Sequence, residues 1–101
     1  RRYDFEREEV DEGAFATDFK SQYYVRLAVR DSEGTLAKIA AAFAKNGISI
    51  RSVLQKEGKN GEVYVVFVTY ETKESNVRKT LSQIENFDGV DKVVSLLRVE
   101  E

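Results

Sequence analysis

Tyr23-Tyr24-Val25-Arg26-Leu27-Ala28-Val29-Arg30, followed by Asp31-Ser32-Glu33-Gly34 and then by Thr35 to Gly47, is the stretch on which the fold turns. Val25, Leu27 and Val29 alternate with Arg26, Ala28 and Arg30, the period-2 pattern of a strand with one face buried. The four residues after Arg30 break that pattern. Leu36, Ile39, Ala40, Phe43 and Ala44 then recur at the spacing of an amphipathic helix, and Asn46-Gly47 is a helix stop. A strand and a helix joined by a short polar loop therefore open the domain.

Working outward, Ile48 to Lys56 reads as a second strand with Ile48, Ile50 and Leu54 on one face. Gly58-Lys59-Asn60-Gly61 is a turn into a third strand from Glu62 to Tyr70, and the two strands make a hairpin. Both rows of the third strand are apolar or aromatic, Val63, Val65 and Phe67 against Tyr64, Val66 and Val68, as suits a central strand covered on both sides. Thr72 suits an N-cap for a second helix through Phe87, with Val77, Leu81, Ile84 and Phe87 inward. After Asp88-Gly89 a last strand runs from Val90 to Val99, with Val94, Leu96 and Arg98 on one face and Val93, Leu97 and Val99 on the other.

The order strand, helix, strand, strand, helix, strand predicts an α+β, ferredoxin-like βαββαβ domain. Right-handed crossovers place both helices on one face of a four-stranded antiparallel sheet. The other face then carries Tyr64, Val66 and Val68. Self-association would cover it, and strand propensity alone would also put β-branched residues there.

Residues 1–22 differ in kind. They hold seven acids against four bases, whereas residues 23–101 hold eleven against twelve. Tyr3, Phe5, Val10, Phe15 and Phe19 keep neither a helical nor a strand period, so this segment reads as a linker or a displaced piece of a preceding domain, with residues 23–101 as the domain proper. With no Met anywhere, the sequence reads as part of a longer chain.

Composition narrows function by exclusion. Sixteen basic and eighteen acidic residues leave a formal charge of -2, without the broad positive field that nucleic acid or anionic lipid attracts. Aromatic residues on a sheet invite comparison with RNA-stacking platforms, yet Glu62 to Val68 lacks the motif such strands carry. Without Cys or His there are no thiolate metal sites, thiol nucleophiles or imidazole bases, which sets aside a metallochaperone and most catalysis. No run approaches the roughly 18 apolar residues of a membrane span, and no signal segment opens the chain, so the cytoplasm is the expected setting.

The informative polar residues lie at the two ends of the first helix. Unpaired N–H groups at a helix start suit a carboxylate, Gly34 permits close approach, and Asp31 suits an ammonium group, so one loop offers partners for both charged ends of an amino acid. The same residues also suit a plain helix cap on Asp31 or Ser32, with Gly34 relieving a tight turn. At the other end Asn46 and Ser49 offer neutral hydrogen-bonding groups, or Asn46-Gly47 serves only as a terminator. Gln55 sits late in the second strand with its role open.

Tyr23 to Leu27, Asp31 to Leu36, Ala37 to Phe43 and Asn46 to Lys56, with the ending Gly89 to Glu100, together resemble an ACT domain. The resemblance covers residues 23–100 and is greatest to the C-terminal regulatory domain of bacterial homoserine dehydrogenases. It implies a domain that pairs with another copy and binds a pathway end product, threonine first, where the first helix meets the neighbouring subunit. It further implies that backbone groups of Gly34, Thr35 and Leu36 hold the carboxylate, that Asp31 takes the ammonium, that Asn46, Ile48 and Ser49 close the pocket, and that Gln55 is a further contact. The parent enzyme would be an NAD(P)-dependent dehydrogenase of threonine biosynthesis under feedback control. No Gly-rich dinucleotide fingerprint stands in this chain, so no catalytic residue, cofactor or metal is expected in it. Glu33 stands where the family more often has Pro, which favours the alternative of a dimerisation domain that binds no ligand.

Overall fold

A computed structural model of the chain describes residues 2–5, 19–30 and 32–100. Its elements are β1 (Arg2–Phe5), β2 (Lys20–Val29), α1 (Ser32–Lys45), β3 (Ile50–Glu57), β4 (Val63–Thr69), β5 (Thr72–Lys73), α2 (Glu74–Ile84) and β6 (Val90–Glu100). The sheet order is β1-β6-β2-β4-β3, each pair antiparallel, with β5 paired to the start of β2. The four expected strands are present, and β2 and β4 are central.

The alternation read from β2 is the core itself. Tyr23, Val25, Leu27 and Val29 are buried on one row, and Val65 and Phe67 of β4 join them. Ile39, Ala42 and Phe43 of α1 and Val77, Leu81 and Ile84 of α2 pack into the same cluster, so both helices lie on that one face. The Phe43 and Phe67 rings stand 5.3 Å apart at a 38° tilt, an offset aromatic contact that seats α1 over β4. Buried Thr69 accepts a hydrogen bond from the Tyr23 N–H at 3.0 Å, which satisfies a backbone donor inside the core.

Four details differ from the sequence reading. The buried face of α1 includes Thr35 and Ala42 and leaves Ala40 and Ala44 exposed, because the run Ala40 to Ala42 is apolar in every direction and sets no face. In β3 an irregularity between Ile50 and Ser52 changes the parity, so Leu54 stands opposite Val66 on the open face, 62% exposed. Thr72 is not a helix cap: it is buried in β5 opposite Ser21, and α2 starts at Glu74 behind Lys73, whose side chain makes no cap bond. In β6 the register shift opposite Arg26 and Leu27 puts Val93, not Val94, in the row of Leu96 that faces the helices. Val94 is exposed.

The linker expected over residues 1–22 contributes to the sheet at both of its described ends. Lys20 to Gln22 begin β2, and β1 pairs with β6 from Arg2 opposite Glu100 to Phe5 opposite Leu97, which gives the sheet a fifth strand on that side. On the open face Val66 is buried and Tyr64 and Val68 are half-buried within the single chain. The Arg26 guanidinium lies 4.6 Å from the centre of the Tyr64 ring.

Candidate functional site

The first turn of α1 follows directly on β2, so the end of a buried strand fixes where the helix begins. Gly34, Thr35 and Leu36 lie at the start of the helix, and the Gly34 N–H is among the leading N–H groups that have no carbonyl partner within it and point along its positive end. Gly34 is exposed, and an added Cβ there would meet nothing within 4 Å. Its place in the helix has no positive φ, so Gly34 does not relieve a strained turn. What it contributes, among the described residues, is open space beside its own N–H. Asp31 lies outside the described residues, as do the side chains of Ser32 and Glu33.

Two elements hold this turn from behind. The Arg30 N–H donates to the Gly89 carbonyl at 2.8 Å, and Arg30 Nε meets Asp91 Oδ1 at 2.8 Å. Thr35 is buried against Gly89, whose φ is +102° and where a Cβ would overlap Thr35 Oγ1. Leu36 is half-buried against the core.

The far end of α1 closes with Gly47 at φ +76°. The Ile48 N–H donates to the Phe43 carbonyl at 2.9 Å and the Gly47 N–H to the Ala44 carbonyl at 3.0 Å, the pairing of a Schellman motif. Ile48 drops into the core. The Asn46 amide nitrogen donates to Thr80 Oγ1 at 2.8 Å and to Gln83 Oε1 at 2.9 Å, so it ties α1 to α2. Ser49 is exposed, and its carbonyl accepts the Tyr70 N–H at 3.0 Å. Gln55 is exposed on β3 opposite Val65.

These residues form two groups. Gly34, Thr35 and Leu36 are together at one end of a 14-residue helix, and Asn46, Ile48 and Ser49 are together at the other. At 1.5 Å per residue the two ends stand about 20 Å apart, further than any amino acid spans. Gln55 shares a rung of the sheet with Val65 and Leu27, nearer the Gly34 end. Gly89, Arg30 and Asp91 did not stand out in the sequence, where Asp88-Gly89 signals only a helix stop. A separate polar hollow of about 330 Å³ lies at the start of α2, lined by Lys20, Gly47, Glu71, Thr72, Lys73, Ser75 and Asn76.

The family model of the ACT domain matches residues 23–89, the run from the start of the buried row to the glycine behind the α1 turn. The chain belongs to the ACT domain family. A homoserine dehydrogenase of Pseudomonas aeruginosa is 33% identical over 84 residues, covering 81% of this chain and 19% of the relative. One from Neisseria gonorrhoeae is 33% identical over 86 residues, covering 82% and 19%. The crystal structure of a homoserine dehydrogenase from Thiobacillus denitrificans superposes with a TM-score of 0.70 at 32% identity, over 81% of this chain and 18% of that one. This ACT domain is therefore a regulatory domain related to the ACT regions of homoserine dehydrogenases, and it spans about a fifth of the length of those relatives. Among the described residues no helix is long and apolar enough to cross a membrane.

Proposed function

We propose that this ACT domain binds an amino acid, threonine first, at a site shared between two copies, and thereby places a homoserine dehydrogenase under feedback control in the cytoplasm. The observation that carries this reading is the separation of the two groups across α1. They can line one pocket only if one copy supplies the start of its helix and the other the loop after its helix.

The shape of the sheet supplies a way to do this. β3 is the outer strand of the described sheet, with Val53 50% and Leu54 62% exposed on its two faces. α1 runs from β2 to β3 across β4, so it lies beside that edge. A two-fold axis that pairs β3 with its copy sets the two α1 helices antiparallel, and brings Gly34 of one copy toward Ser49 of the other.

In that site the backbone at the start of α1, at Gly34, Thr35 and Leu36, receives the carboxylate at the helix's positive end, and Asp31 takes the ammonium. Ser49 and the backbone of Ile48, whose side chain is in its own core, close the pocket from the second copy, and Asn46 holds their loop through its bonds to α2. Gln55 stands near enough the Gly34 end to reach a ligand side chain. A ligand that bridges two copies binds the pair and not the single chain, so it stabilises the paired state by mass action. The parent enzyme's NAD(P) would be held by residues other than these, since this chain has no Gly-rich fingerprint.

Calorimetric titration with each aspartate-family and branched-chain amino acid tests the reading. Heat that saturates for threonine, at one ligand per copy, is the expected result. No saturable heat for any of them favours a ligand-free dimerisation domain, the reading supported by Glu33 and by the engagement of the Asn46 amide within its own chain.

A further inference from the structure

Gly89 belongs to the turn between α2 and β6, far in sequence from the helix it touches. Its carbonyl receives the Arg30 N–H at 2.8 Å, on the near side of the β2–α1 loop. Its Cα faces Thr35, on the far side of that loop, so closely that a Cβ would overlap Thr35 Oγ1 and come within 3.4 Å of Thr35 Cβ and 3.5 Å of Thr35 Cγ2. One residue thus fixes both flanks of the loop. Asp91, two residues on, holds the Arg30 side chain.

We propose that Gly89 is a positioning residue for the amino-acid site: its missing side chain sets how deeply the first turn of α1 sits. This rests on the amino-acid reading above and names the residue behind the site. Thr35 is 6% exposed, and its Cβ and Cγ2 also lie within 3.5 Å of the added methyl group, so a turn about χ1 has little room in which to clear the contact. The first turn would move instead, taking with it the N–H groups of Gly34, Thr35 and Leu36.

Two effects of Gly89→Ala can be separated, because only one of them involves Thr35. The φ of +102° strains any L side chain, and that strain remains whatever stands at position 35. The overlap disappears in the double variant Gly89→Ala with Thr35→Ala. Threonine affinity is measured by calorimetry well below the melting point of each variant, beside the thermal transition.

The expected result is that Gly89→Ala weakens threonine at least about tenfold, the size of one misplaced hydrogen bond to a charged group. Affinity returns in the double variant to near that of Thr35→Ala alone, while the single and double variants with Gly89→Ala both melt lower than the native chain. Thr35→Val sets a methyl group where the hydroxyl faces Gly89, a smaller push from the other side of the same contact, and keeps the test open if Gly89→Ala does not fold. It is expected to weaken threonine several-fold at a nearly unchanged melting point. Native affinity in Gly89→Ala or Thr35→Val, or a double variant no better than Gly89→Ala, would overturn the positioning role alone. Absence of binding to the native chain would remove the amino-acid reading and this inference with it.

Discussion

Asn46 uses its side-chain amide nitrogen twice on α2, at 2.8 Å to Thr80 Oγ1 and 2.9 Å to Gln83 Oε1, so the stop of the first helix is also its tie to the second. Thr80 is fully buried, and its hydroxyl donates in turn to the Asn76 carbonyl at 2.8 Å. Asn46→Ala leaves that oxygen without its donor. The expected loss is about 1–3 kcal/mol, read as a lower urea midpoint at an unchanged slope. A midpoint within error of the native one would show that the two bonds add nothing.

Asp31 separates a helix cap from a ligand contact. Threonine at a hundred times its dissociation constant should add about 2.7 kcal/mol per site, seen as a raised melting temperature. Asp31→Asn keeps a capping oxygen and removes the charge, so the unliganded protein should melt as before while the threonine shift shrinks. A full shift in Asp31→Asn would place the ammonium elsewhere.

Val53→Lys puts a charge on the β3 edge, the device by which edge strands resist pairing. Sedimentation at micromolar concentration should give a dimer or larger for the native chain and a monomer for the variant, with the thermal transition of the monomer still cooperative. A native monomer would sink the shared site.

Arg26 is a half-buried polar residue whose removal should do little harm. Its Nε is buried with no hydrogen-bond partner among the described residues, a burden of about 1–3 kcal/mol. The contact with Tyr64 returns about 0.5–1 kcal/mol. Arg26→Met should therefore leave urea stability unchanged or raise it, and a loss above about 1 kcal/mol would mean that the cation contributes more than its ring contact.

Deleting residues 1–18 should leave a cooperative thermal transition, because the core cluster begins at Tyr23 and the β5 pairing needs only Lys20 and Ser21. A broad, uncooperative melt would make the arm part of the core.

What could be read from sequence depended on whether the pattern was local. β2 was legible because strict alternation has one solution, β4 because a run apolar on both rows suits a central strand, and Val25, Leu27, Val65 and Phe67 are all buried. Leu54 and Val94 were misplaced because an extra residue in a strand reverses parity without any mark in composition. The two ends of α1 announced themselves through Gly34 and Asn46-Gly47. Gly89 did not, since the contact that gives it meaning is to Thr35, and that nearness exists only after β6 has come to lie beside β2.

The place of β2 between β4 and β6 has a consequence for how the chain is made. Tyr24 pairs with Val68 on one side and with Leu97 on the other, so the central strand finds its second neighbour only in the last residues described. A ribosome releasing this domain from its amino end leaves β2 half-bonded until Val99 emerges. Until then a hydrophobic strand is open to any other strand it meets. Early termination before Leu96 should accordingly yield an aggregating product and not a shorter folded one.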